Sequence, residues 1–171
     1  MRLNGAVVAD TGETPDHMDT KNDKAELHNI HDLLVDSHKG YKEAAERVED
    51  DRVKALLMTF AQERSALEAA VDAELRIQDP EAQHRDGGTI KGDLHRAWMD
   101  LRDSLTKSNN ANVLSECERG EGYLLMRYDE VLKKEDLRAG TRTLANAQRA
   151  QVLKNVDRIK DLRKQFEKIE A

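Results

Sequence analysis

Apolar residues recur at intervals of three and four over four long stretches of this chain, the spacing of one face of an α-helix. In the first stretch the column is Leu27, Ile30, Leu34, Tyr41, Ala44 and Val48, with Ser37 filling its gap and His31 and His38 flanking it. Glu43 and Glu46 fall on the outer face by the same count. Asp23 with Glu26 three residues on makes a capping-box pattern, so this helix is predicted to start at Asn22 or Asp23. Ahead of it, residues 1–21 mix Gly, Asp, Thr and Pro15 without periodicity and read as a disordered tail, leaving 22–171 as one folded domain.

Glu49-Asp50-Asp51 marks a reversal, with Asp50 as N-cap of a second helix. That helix carries Val53, Leu56, Leu57, Phe60, Leu67, Ala70, Val71 and Leu75. Glu63 shares a column with Leu56 and Ala70 and is expected to point inward, with Arg64 beside it. The helix should end before Asp79-Pro80, because a residue preceding proline resists the α conformation. Residues 80–89, with His84, Gly87 and Gly88, read as a loop crossing one end of the molecule. A short helix with Leu94, Trp98, Leu101 and Leu105 on one face follows, and Lys107-Ser108-Asn109-Asn110 breaks it.

The third long helix, predicted from Ala111 to Lys134, has Leu114, Cys117, Leu124, Tyr128 and Val131 in its column. After a turn at Lys134-Glu135-Asp136, a fourth runs to the end with Leu144, Val152, Ile159, Leu162, Phe166 and Ile169 inward. Gln148 and Asn155 occupy that inward column, and Gln151 sits at its edge. The expected fold class is therefore all-α. A short first connection, a long crossover holding the extra short helix, and a short last connection give a four-helix bundle of ferritin-like connectivity.

Composition agrees with that picture. Charged residues make up 36% of the chain and aromatic residues only 4%, which suits helices with wide solvated faces rather than a β-sandwich. The formal net charge of -6 argues against general nucleic-acid binding, which needs a basic footprint. From Lys133 onward, however, Lys and Arg outnumber Asp and Glu, so an acidic protein partner docking on the last helix is a candidate interaction. The single cysteine, Cys117, cannot form an intramolecular disulfide and suits a reducing compartment. Ala6-Val7-Val8-Ala9 is too short for a signal or membrane segment. A soluble cytoplasmic protein with no membrane association is the expectation.

Each long helix interrupts its apolar stripe near its own middle. The interruptions are Ser37 and His38, then Glu63 and Arg64, then Glu118 and Glu121, then Gln148, Gln151 and Asn155. Helices packed side by side bring their midpoints to one height, which predicts a single polar layer across the centre. Ferritin-like di-iron centres are built in such a layer, from single glutamates on two helices and Glu-x-x-His on two others. Here Glu63 is followed three residues later by Ala66, and the fourth helix offers the amides of Gln148 and Gln151.

Two readings of the layer follow. The favoured one is a buried hydrogen-bond network in which Glu63, Glu118 and Glu121 are held by Arg64, Arg119, His38, Tyr41 and the two glutamines. The other is an iron, manganese or zinc site on Glu63, Glu118 and Glu121, with His38 or Gln148 completing the shell. A paired-carboxylate hydrolase is disfavoured because nothing suggests an open cleft at the pair. His28 and His31 read as surface histidines, His95 as packing on Trp98, and Cys117 as a small core residue. No Gly-rich phosphate loop, CxxC pair or nucleophile elbow is present.

Three motifs carry a resemblance: Gly40-Tyr41-Lys42-Glu43-Ala44-Ala45-Glu46, Leu94-His95-Arg96-Ala97-Trp98-Met99-Asp100-Leu101 and Glu116-Cys117-Glu118-Arg119-Gly120-Glu121. With Asp157-Arg158-Ile159 and Leu162-Arg163, they resemble a bacterial family of ferritin-like four-helix-bundle proteins with no settled activity, over roughly Asn29 to Arg163. The resemblance implies a ferritin-like fold. Metal-binding members of the wider superfamily have a ligand glutamate where Leu34 stands. Family members often have an acidic residue at Gly122 and a histidine at Val156. These departures point away from ferroxidase activity and toward a non-catalytic, homo-oligomeric, stress-associated or interaction protein.

Overall fold

The structure, a computed structural model, describes residues 16–81, 93–107 and 109–170. Within them the protein is all-α: five helices and no strand, in the order α1 (Asp16–Arg47), α2 (Asp51–Gln78), α3 (Asp93–Lys107), α4 (Asn110–Leu132) and α5 (Ala139–Glu170). The expected loop residues His84, Gly87 and Gly88 lie outside the described residues, as do the side chains of His95 and Trp98.

Local chemistry accounts for most of the boundaries. Asp50 caps α2: its carboxylate accepts from the backbone N–H groups of Arg52 and Val53. The helix closes at Gln78, immediately before Asp79-Pro80. Asn109, expected only as a breaker, is the N-cap of α4, its side chain accepting from the Asn112 N–H. The start of α1 differs from expectation. The helix begins at Asp16, so Asp23 is an interior residue rather than a cap.

The carboxylate of Asp23 has a different task. It is fully buried and accepts from the Arg138 backbone N–H at 3.0 Å and from Thr141 Oγ1 at 2.7 Å. It therefore caps α5 from another helix, which a local capping rule cannot anticipate.

Side-chain pairs fix the helix directions. Lys24 meets Asp79 and His38 meets Ala61, so α1 and α2 run antiparallel. Asp129 meets Arg149 and Glu118 meets Arg163, so α4 and α5 do too. Gln78 meets Thr141 and Glu63 meets Arg158, which makes α5 antiparallel to α2. It follows that α2 and α4 run parallel, with the segment carrying α3 between them in sequence. The short helix packs against α4 and α1.

The core lies in two apolar clusters. One gathers Tyr41, Ala44, Ala45 and Val48 with Val53, Leu57, Phe60, Leu114, Cys117, Ile159 and Phe166. The other gathers Leu27, Ile30 and Leu34 with Val71, Leu75, Leu124, Tyr128, Val131 and Val152. Every member of the predicted α1 column is buried. Burying each leucine or isoleucine stabilises the fold by about 1.5–3 kcal/mol before the entropy of ordering is subtracted. The expected inward column of α5 is not buried throughout: Ile169 is exposed, and Leu144 and Leu162 are only partly buried. Ile169 lies in the last turn, beyond the part of α5 that packs on the other helices.

Candidate functional site

Between the two clusters the apolar stripe breaks on all four long helices, as the sequence pattern predicted. The buried polar residues at that level are Ser37 on α1, Arg64 on α2, Glu121 on α4 and Asn155 on α5.

The centre of the layer is a three-residue network. The Arg64 guanidinium donates from Nη2 to Glu121 Oε1, and the Tyr41 hydroxyl donates to the same oxygen. All three side chains are essentially inaccessible to solvent. The Tyr41 ring packs edge-on to Phe60 with centroids 5.3 Å apart, and the guanidinium carbon lies 5.8 Å from its centroid. Cys117 sits one helical turn before Glu121 and is also buried.

Burial and the Glu121 charge set the chemistry here. Burial pushes the Tyr41 phenol well above its ordinary value, and the neighbouring carboxylate raises it further. The Cys117 thiol is pushed up by burial first and by Glu121 second, which disfavours the thiolate. Burial alone would lower the Arg64 pKa, but Glu121 outweighs it and the net direction is upward. Arg64 is therefore a permanent cation set against the carboxylate.

A second network lies toward the Leu124 end. Tyr128 donates to Gln148 Oε1 at 2.7 Å, and Gln148 Nε2 donates to the Leu67 carbonyl at 2.8 Å. Both polar ends of Gln148 are thus taken up within the protein, and burial raises the Tyr128 pKa.

The five residues expected to surround an ion are dispersed. Glu121 is central, and Gln148 is engaged with Tyr128. Glu63 is partly exposed and accepts from Arg158 Nη1 at 2.8 Å. Glu118 is likewise at the flank, 2.6 Å from Arg163 Nη1 and 3.7 Å from Lys160 Nζ. His38 Nδ1 donates to the Ala61 carbonyl at 2.8 Å. Among the described residues, no three His, Cys, Asp or Glu side chains converge to hold an ion.

The residue that the spacing places wrongly is Glu63: expected inward, it is only partly buried, and its neighbour Arg64 takes the inward position. The buried face of α2 is Val53, Leu57, Phe60, Ala61, Arg64, Val71 and Leu75, so Leu56, Glu63 and Ala70 lie at its edge. The signal was present: Arg64 follows Leu57 by seven and Phe60 by four. An arginine is normally assigned to the surface, and only its opposite charge on α4 makes the inward position tolerable.

His31 also departs from expectation. It is buried at the α1–α2 contact, with Nε2 at 3.2 Å from Asp72 Oδ1 and 3.8 Å from Glu68 Oε1.

The basic excess from Lys133 onward faces acidic groups of its own chain. Lys134 pairs with Glu26, Arg149 with Asp129, Arg158 with Glu63 and Arg163 with Glu118. Solvent-screened pairs of this kind contribute little net stability, so they tune register more than stability. No described helix is long and apolar enough to cross a membrane.

Comparison with known proteins gives one family. The model of a domain of unknown function (DUF2383) matches residues 24–134, more than half of the chain, and the chain belongs to that family. The matched region includes Tyr41, Arg64 and Glu121 and stops before α5. No curated protein matches the sequence.

Proposed function

We propose that this member of the DUF2383 family is a ferritin-like four-helix bundle, with α1, α2, α4 and α5 as the bundle and α3 in the crossover. The parallel course of α2 and α4 supports that topology. In this reading the protein is non-catalytic and cytoplasmic, and acts as an oligomeric, stress-associated or interaction protein. An internal ion pair stands where ferritin-like enzymes place a metal centre.

One observation carries the reading. Glu121, the one glutamate buried in the centre among the described residues, is already neutralised by the guanidinium of Arg64. A cation entering there would displace a permanent positive charge that has nowhere else to go. The carboxylates expected to assist it, Glu63 and Glu118, are committed to Arg158 and Arg163.

A bound iron, manganese or zinc ion is the second reading. It is favoured by Glu121 Oε2, which is buried and has no hydrogen-bond partner among the described residues. Elemental analysis of the purified full chain separates the two. The first reading expects no stoichiometric metal; one or two ions per chain, lost on Glu121→Ala, would establish the second. An acidic partner on α5 is a weaker candidate, because much of its basic charge is met within the chain. Sedimentation of the purified protein tests self-association, and a monomer at all concentrations would remove the oligomer from the account.

A further inference from the structure

The Arg64–Glu121 network leaves polar atoms unmatched at the centre of the protein. Glu121 Oε1 takes both Tyr41 and Arg64, while Glu121 Oε2 has no partner among the described residues. Arg64 donates only through Nη2, so its Nε and Nη1 are equally unmatched. Asn155 Nδ2, on α5, is a further buried donor of the same kind. It belongs to the same level, since Arg158 one turn on bridges Asn155 Oδ1 at 3.3 Å and Glu63, the neighbour of Arg64, at 2.8 Å.

Leaving such atoms unbonded carries a full desolvation penalty, larger for charged groups. Buried polar groups in folded proteins are accordingly bonded to protein or to ordered water in all but a few cases. The species that fits must accept from Arg64 and Asn155 and donate to Glu121 Oε2. It must also be neutral, because Arg64 and Glu121 already cancel. A metal ion fails on charge and on the lack of anything to accept the guanidinium protons. An anion fails because it would face the free carboxylate oxygen.

We infer that the polar layer is an internal water site, with at least one water bonded to Glu121 Oε2 and to the Arg64 Nε or Nη1 group, and with Asn155 Nδ2 as an additional donor. A chain of this size is expected to hold several internal waters, at about one per 27 residues. The unmatched atoms place one or more of them in this layer. The water completes a network that would otherwise be half satisfied, and so lets a charged pair persist between two apolar clusters.

Oxygen-17 magnetic relaxation dispersion on the full chain counts long-lived internal waters. The expected result is a long-lived population in the wild type that falls by one or more waters per chain in Arg64→Met/Glu121→Met, with far-UV circular dichroism confirming that the variant is folded. An unchanged count in the folded variant would overturn the inference. A crystal structure of the wild type decides independently, whether or not the variant folds. Water density at Glu121 Oε2 and Arg64 supports the site. Direct protein partners for those atoms would overturn this inference alone, whereas a metal ion there would overturn both it and the proposed function.

Discussion

Arg64→Met is the perturbation that most exposes the energetics of the centre. Methionine fills much of the arginine stem's volume, so the chief change is electrostatic. Glu121 would then be a carboxylate with essentially no solvent exposure and only the Tyr41 hydroxyl to stabilise it. Removing one member of a buried ion pair costs about 3–5 kcal/mol, because the other charge is left uncompensated. At about 2–4 °C per kcal/mol for a domain of this size, the melting temperature should fall by roughly 6–20 °C. Adding Glu121→Gln should reverse much of this loss, since the amide oxygen can still accept from Tyr41 and no buried charge remains. Urea unfolding followed by far-UV circular dichroism gives the four free energies of the cycle, with the m-values compared to check two-state behaviour. A single variant within about 1 kcal/mol of wild type would refute the reasoning, and so would losses that simply add in the double variant.

Three further outcomes follow from the same geometry. Tyr41 and Tyr128 both have folded-state pKa values raised by burial, so the folded protein holds protons that the unfolded chain releases above about pH 10. Their contribution to stability is therefore full below that pH and falls as pH rises through it. In an alkaline titration monitored by tyrosinate absorbance, these two phenols should ionise together with loss of helicity, and ionisation in the intact fold would contradict the burial. Asp23→Ala should cost about 1–2 kcal/mol in chemical denaturation, the value of a helix cap, although residue 23 lies in α1 and the helix it caps is α5. An effect within experimental error would remove the cap from the account. Cys117 should resist thiol reagents in the native protein and react only as the core opens, so rapid stoichiometric labelling without denaturant would show that its pocket is not closed.

Much of this architecture is legible from spacing. The α1 column from Leu27 to Val48 is buried throughout, and Asp50 and Pro80 mark the ends of α2 where local chemistry says they should. The central polar layer was also legible, because four helices interrupt their stripes at comparable distances from their ends. What spacing could not decide was which of two adjacent polar residues faces inward. Glu63 and Arg64 differ by one position, about a quarter of a helical turn, and either could extend an apolar column. The choice is made by α4, which presents Glu121, and by α5, which presents Arg158 to Glu63. Asp23 escaped for a related reason: its sequence context resembles a local cap, and its real partner is 118 residues away along the chain. His31, read as a surface residue, is buried because Glu68 and Asp72 of α2 lie against it. In each case the missing information was which partner helix stands opposite.

The central claim is that Arg64 takes the place of a metal at Glu121, and thermal melting with added metal tests it most directly. An ion held at a hundred times its dissociation constant would stabilise the fold by about 2.7 kcal/mol, a rise of roughly 5–10 °C here. The account predicts no such rise with Fe(II), Mn(II) or Zn(II), for the wild type or for Glu121→Ala. A rise of that size in the wild type that disappears in Glu121→Ala would contradict it.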